Sequence, residues 1–152
     1  MRRVLGLGSA LLAGALAFFA AGCPRSEAPR VAFVGSYRAA EGALLSQRAV
    51  QASGGIEGQP LELSIRYDNG GSGARAIADA EALVADPTVL AVVGHSSSKT
   101  TLAAAESYNR AGVVQLAPTS SAPVYVLAGP YSFRLVPSDE NQAAFLARQL
   151  PV

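Results

Sequence analysis

Two short hydroxyl-rich segments hold most of the groups that could do chemistry. The first is Gly94-His95-Ser96-Ser97-Ser98-Lys99-Thr100-Thr101 and the second is Ala117-Pro118-Thr119-Ser120-Ser121-Ala122. In the first, hydroxyls and backbone N–H groups gather where a helix is about to start. The unpaired N–H groups and the helix dipole favour an anion such as a carboxylate at that point. Serine and threonine also cap helices and fill turns where no ligand binds, so either segment alone reads as capping. Two of them at neighbouring strand ends suggest a small polar cleft. Ser96 and Lys99 stand at Ser-x-x-Lys spacing, in which a serine is acylated and a lysine helps to activate it. The companion Ser-Asp-Asn and Lys-Thr-Gly motifs are missing downstream. His95 has the chemistry of a general base, but no Asp or Glu in its own segment is placed to orient it, and it reads as structural. Neither Gly-x-x-x-x-Gly-Lys-Ser/Thr nor Gly-x-Gly-x-x-Gly occurs, so the usual nucleotide-phosphate signatures are absent.

Composition narrows the chemistry further. The chain has 152 residues, half of them hydrophobic and 15% charged, which excludes a disordered polymer. There are 12 Lys and Arg against 11 Asp and Glu; without Arg2 and Arg3 the acidic residues outnumber the basic ones by one. No basic field or basic run remains to attract nucleic acid. The single cysteine excludes an internal disulfide and any multi-cysteine metal site, and the single histidine excludes the histidine clusters of zinc hydrolases. No metal site and no cofactor is expected.

The N-terminus has its own logic. Met1-Arg2-Arg3 is a short basic start, residues 4–21 are apolar, and Ala20-Ala21-Gly22-Cys23 follows. Small residues before a cysteine match a bacterial lipoprotein signal, in which residues 1–22 are removed and the Cys23 thiol is lipidated. An ordinary signal peptide cut at an Ala-x-Ala-like site is the plain alternative, and a retained membrane helix is a further one. Residues 23–30 read as a polar tether. The remaining 130 residues (152 − 22) allow one core but not two full domains.

The elements that must position the two segments alternate along the rest of the chain. Strands are predicted over 31–34, 61–67, 89–93, 113–116 and 131–134. Helices are predicted over 42–52, with Leu45, Ala49 and Ala52 inward; over 74–85, with Ile77, Ala80 and Val84 inward; over 98–111; and over 139–150, with Asp139 as N-cap. Gly112 is placed to cap the third helix, and residues 120–129 form a loop with room for a helical turn. Repeated strand–helix units imply an α/β fold: a three-layer open parallel sheet with helices on both faces. Ligands of such sheets lie beyond the carboxyl ends of the strands. That rule selects the loops 35–41, 94–99 and 117–122.

Five stretches, in order, carry a resemblance. They are Ala52-Ser53-Gly54-Gly55-Ile56; the strand from Gly58-Gln59-Pro60-Leu61 to Tyr67-Asp68; Asp86-Pro87-Thr88 running through Gly94-His95-Ser96-Ser97-Ser98; Tyr108-Asn109-Arg110-Ala111-Gly112 running through Ala117-Pro118-Thr119-Ser120-Ser121; and Phe133-Arg134 with Pro137-Ser138-Asp139. Together they resemble the periplasmic solute-binding proteins of branched-chain amino acid ABC transporters, the Leu/Ile/Val-binding type. The resemblance implies a type I periplasmic-binding fold of two α/β lobes that close on a ligand. Residues 31–137 would form the first part of the N-terminal lobe, and residues 138–152 the crossover and first helix of a second lobe almost wholly absent from this chain. One wall of the cleft alone is expected to bind weakly and to be poorly stable.

The resemblance also implies site roles. Ser98, with Ser97 and nearby backbone, would hold an amino acid's carboxylate. Ser121 would contact carboxylate and ammonium, and the Thr119 carbonyl would accept from the ammonium. Tyr37 is the candidate for the aromatic that the family's longer first loop brings to the ligand. The expected protein is a non-enzymatic, lipid-anchored solute-binding component in the periplasm or on the outer cell surface. Its partners would be an amino acid or similar small amide or carboxylate, ABC permease subunits, and the membrane through Cys23. The alternatives are a sensory receptor lobe of the same fold and, more remotely, a serine acylase using Ser96 and Lys99.

Overall fold

The structure, a computed structural model, describes residues 28–68 and 71–150. The signal segment, Cys23 and most of the tether lie outside the described residues. Five strands form one sheet: β1 (Arg30–Gly35), β2 (Glu62–Tyr67), β3 (Val89–Gly94), β4 (Val114–Ala117) and β5 (Ser132–Arg134). Their order is β2-β1-β3-β4-β5 and every pairing is parallel. Four α-helices join or follow them: α1 (Tyr37–Ala52), α2 (Gly73–Val84), α3 (Ser98–Ala111) and α4 (Asp139–Gln149); a 3-10 helix (Pro123–Leu127) lies between β4 and β5.

Alternation along the strands decides the two faces. Ala32, Val34 and Val92 point to the side where α2 and α3 pack, against Ala76, Ala80, Leu83, Ala104 and Tyr108. Val31, Phe33, Leu63 and Val93 point to the side of α1, opposite Ala43, Gln47 and Val50. The expected three-layer arrangement is therefore present.

The helices match the expected faces only in part: Ala80 and Val84 of α2 pack on the core as expected. In α2 the buried residues are Ala76, Asp79, Ala80 and Leu83, and Ile77 is exposed. Small alanines let α2 lie close against α3, and the larger Ile77 falls at the edge. In α1 the predicted inward residue Leu45 is 64% exposed. The sheet-facing stripe includes Gln47, whose side-chain amide donates to the Leu61 carbonyl at 2.8 Å. A polar residue satisfied by strand backbone is invisible to an apolar count.

Each α-helix begins on a serine whose hydroxyl accepts from the backbone N–H three residues on: Ser36, Ser72, Ser97 and Ser138. Two boundaries change as a result. Helix α1 starts at Tyr37 rather than residue 42, so the expected loop 35–41 is mostly helix. The N-cap of α4 is Ser138 rather than Asp139; Asp139 and Glu140 instead occupy the first turn, where negative charge suits the dipole. At the other end of α3, Gly112 adopts φ 70°, the left-handed cap expected of it.

Leu83 is 2% exposed and central to the α2–α3 face. Leu83→Ala should lower unfolding free energy by about 2–4 kcal/mol, whereas Leu45→Ala should stay within about 0.5 kcal/mol. Urea unfolding midpoints of the two variants check this difference.

Candidate functional site

The carboxyl ends of β1, β2, β3 and β4 lie along one edge of the sheet. At the end of β3, Gly94 has φ 148°, and a Cβ there would stand 2.2 Å from the Val34 carbonyl oxygen of β1. Glycine is therefore required where the chain leaves β3 against β1. His95 follows, fully buried.

Its ring is held on both nitrogens. Nδ1 lies 3.0 Å from Asp68 Oδ2 and Nε2 lies 3.2 Å from the Tyr108 hydroxyl. An ionised carboxylate only accepts, so Nδ1 carries the hydrogen and Tyr108 donates to Nε2. Asp68 Oδ2 also accepts from the Ser96 N–H at 3.2 Å, and Oδ1 accepts from the Ser96 hydroxyl. Burial pushes the His95 pKa below its ordinary value, and the Asp68 carboxylate offsets this only in part. Burial also drives the Tyr108 hydroxyl well up, which keeps it protonated as a donor.

A second set of contacts joins the two hydroxyl-rich loops. The Thr119 hydroxyl donates to the His95 carbonyl at 3.3 Å. The buried Ser120 hydroxyl donates to Thr101 Oγ1 at 2.6 Å, and Thr101 in turn donates to the Ser97 carbonyl at 2.7 Å. Ser98 Oγ accepts from the Ala122 N–H at 3.3 Å, which leaves its O–H to donate elsewhere. The Ser121 carbonyl accepts from the Asp139 N–H at 2.9 Å and from Arg134 Nη1 at 3.4 Å. Ser121 thus sits where β4, β5 and the start of α4 meet.

A cavity of about 310 Å³ opens between these strand ends. Its walls include Phe33, Ala39, Val93 and Pro118, and its polar groups come from Ser36, His95, Ser96 and Thr119. A larger hollow of about 770 Å³ lies at the opposite edge, among Pro29, Ile56, Pro87 and Leu90. It faces no helix N-terminus, so the smaller cavity is the chemically equipped one. Of the expected contact residues, Thr119 lines the smaller cavity, and Ser98 and Ser121 lie in the joined loops beside it. Ser97 spends its hydroxyl on capping, accepting from Thr100 N–H at 3.3 Å and sharing a hydrogen bond with Thr100 Oγ1 at 2.9 Å. Tyr37 is 64% exposed on the first turn of α1, its ring 5.8 Å from that of Tyr67.

Sequence reasoning missed Asp68. His95 does have a carboxylate to orient it, but from the end of β2 rather than from its own segment. That arrangement does not make a base, because the second ring nitrogen meets Tyr108 and the ring is closed to solvent. The only signal for Asp68 was its place after an alternating strand, in the Tyr67-Asp68 pair. Among the described residues, no group of three or more His, Cys, Asp or Glu is placed to hold a metal.

The family described as periplasmic binding protein matches residues 32–150, and the chain belongs to it. An amino acid binding protein of Pseudomonas aeruginosa is 33% identical over 102 residues, covering 66% of this chain and 27% of that protein. The Leu/Ile/Val-binding protein of Escherichia coli K12 is 31% identical over 131 residues, covering 80% of this chain and 35% of that protein. The chain thus spans about a third of the length of these relatives. Among solved structures, an ABC transporter substrate-binding protein from Desulfitobacterium hafniense in complex with Leu superposes with a TM-score of 0.70 at 29% identity, covering 79% of this chain and 38% of that one. A branched-chain amino acid transporter substrate binding protein from Streptococcus pneumoniae, in complex with isoleucine, gives 0.67 at 25% identity, with 74% and 35% covered. These relatives are binding proteins rather than enzymes.

The lowered pKa of His95 makes folding pH-dependent. The unfolded chain takes up that proton near the ordinary value of 6.5, and the folded chain only at lower pH. His95 therefore destabilises nothing above pH 6.5, and stability declines as the pH falls from there towards the folded value. His95→Gln should remove that part of the acid slope. Urea midpoints of both proteins through the acid range test this; parallel curves would refute it.

Proposed function

We propose that the chain forms one wall of the solute cleft of an extracytoplasmic ABC importer component, and that the solute is a branched-chain or other amino acid. The observation that carries this reading is the joining of the Ser96–Ser98 and Thr119–Ser121 segments at the N-terminus of α3. There the helix dipole and unpaired N–H groups suit a carboxylate. The likeness to Leu/Ile/Val-binding proteins supports the choice of solute.

In this reading the Ser98 hydroxyl and the first N–H groups of α3 hold the carboxylate. The Thr119 carbonyl accepts from the ammonium, and Ser121 contacts both charged groups. These are charge-assisted hydrogen bonds, strong where water is excluded. Ser97 contributes through its cap, which fixes that helix start. Tyr37, exposed on α1, would approach the solute from the rim. Residues 31–137 act as part of the first lobe. No residue of α4 is buried, which supports residues 138–152 as the crossing to a second one.

Cys23 is the proposed lipid anchor. Six residues lie between it and Arg30, the first residue of β1, and the seven Cα–Cα steps span at most about 25 Å. The solute loops lie at the carboxyl edge of the sheet, opposite the end at which the chain enters β1; in this reading that edge meets the permease subunits.

In the full-length protein, Ser98→Ala and Ser121→Ala should each weaken amino acid binding by about 1–3 kcal/mol, the effect of leaving a charged partner one hydrogen bond short. Calorimetric titration with leucine, after a thermal-shift screen of amino acids and amides, measures it. Unchanged affinity in both variants would sink the assignment.

A further inference from the structure

We infer that Asp68 and His95 are positioning residues for the solute loops: the buried chain Tyr108–His95–Asp68–Ser96 sets the conformation of both hydroxyl-rich segments. The inference concerns the same cleft and takes its functional meaning from the reading above.

Contacts from three strand ends and one helix converge on His95. The His95 ring binds the end of β2 through Asp68 and the middle of α3 through Tyr108. Its carbonyl accepts from Thr119 in the second loop. The next residue, Ser96, places both its N–H and its hydroxyl on the same carboxylate. Turning the ring or lifting the Ser96 turn would strip hydrogen bonds from a buried carboxylate, which is expensive in a low-dielectric interior. Three strands' ends and one helix are thereby held in a single arrangement.

The chain of bonds has a direction. Asp68 as a carboxylate cannot donate, so the ring is restricted to the Nδ1–H tautomer and the Tyr108 hydroxyl must point at Nε2. Among the described residues, Asp79 of α2 also acts on the ring by its charge, and Arg66 of β2 acts on Tyr108. Asp79 is tied to Arg66 at 3.4 Å and to Arg75 of α2 at 3.0 Å. Asp68 is the acid that touches the ring.

Asp68→Asn keeps the shape and breaks this logic. An amide has one acceptor oxygen, and its NH2 must face either His95 or Ser96. If it faces His95, the ring switches to the Nε2–H tautomer and donates to Tyr108. The NH2 then occupies the Oδ2 position, so the Ser96 N–H also loses its acceptor. If the NH2 takes the Oδ1 position instead, the Ser96 hydroxyl must turn from donor to acceptor. Either outcome rearranges the hydrogen bonds that hold the first loop.

In the full-length protein the imidazole nitrogen resonances of His95 are identified by their loss in His95→Gln. The wild type should show the Nδ1–H tautomer. In Asp68→Asn that tautomer should be lost, or the amide signals of Ser96, Ser97, Ser98 and Thr119 should shift, while those of α1 stay in place. Leucine affinity by calorimetry should fall about tenfold, the loss that accompanies a displaced hydrogen bond to a charged group. Tyr108→Phe keeps the carboxylate and should retain the Nδ1–H tautomer; it decides the matter if Asp68→Asn does not fold. A wild-type ring in the Nε2–H form, or Asp68→Asn with unmoved loop signals and unchanged tautomer, overturns the inference. Loop signals that move as described in a protein that binds no amino acid would leave the positioning role standing and remove the solute reading.

Discussion

A carboxylate and an imidazole buried together at the ends of two parallel strands organise the upper edge of this lobe. Asp68 comes from the end of β2 and His95 from the end of β3, and β1 runs between them. Buried charges are tolerated only where hydrogen bonds replace water. Here the replacement comes from the His95 ring, the Ser96 backbone and the Ser96 hydroxyl. Because those donors belong to the segment that starts α3, satisfying the charge also fixes where that helix begins and where its N–H groups point. The neutral state of His95 follows from the same burial, with the Tyr108 hydroxyl completing the ring's second nitrogen.

The layers beneath make that edge rigid. Helices α2 and α3 approach closely through Ala76, Ala80 and Ala104, and Tyr108 and Leu83 fill the remaining space above Val34 and Val92. Tyr108 therefore serves twice, as core volume and as hydrogen-bond donor. Gln115 makes a similar link on β4, its side-chain amide donating to the Thr101 carbonyl at 3.2 Å. The polar groups of the edge continue into the core rather than lying on top of it, so the loops cannot shift independently of the sheet. A rigid wall of this kind suits a family whose members bind small solutes, because preorganised groups lose less entropy on binding.

Particular elements show how far the sequence could be read. The strand–helix alternation and the Gly112 cap were legible, since each depends on nearby residues. The inward faces of α1 and α2 were legible only in part. Ala80 is buried as its spacing indicates, but Leu45 and Ile77, apolar and correctly spaced, stay exposed while Ala40 and Ala76 are buried, because close approach between layers favours small side chains over large ones. Tyr37 was read into a loop because Ser36 was not recognised as the cap of α1. Ser98, Thr119 and Ser121 were selected from their motifs, and the structure joins their loops.

Local order, then, was written in the sequence alone: the succession of strands and helices and the glycine that ends α3. Such features follow from spacing and from side chains bonding to backbone a few residues away. The partner of His95 was decided only by tertiary structure. Asp68 lies 27 residues earlier, just after a strand that stands two positions from β3 in the sheet. No local pattern encodes that meeting. It exists because folding removes both groups from water, and each then requires the other's hydrogen bond.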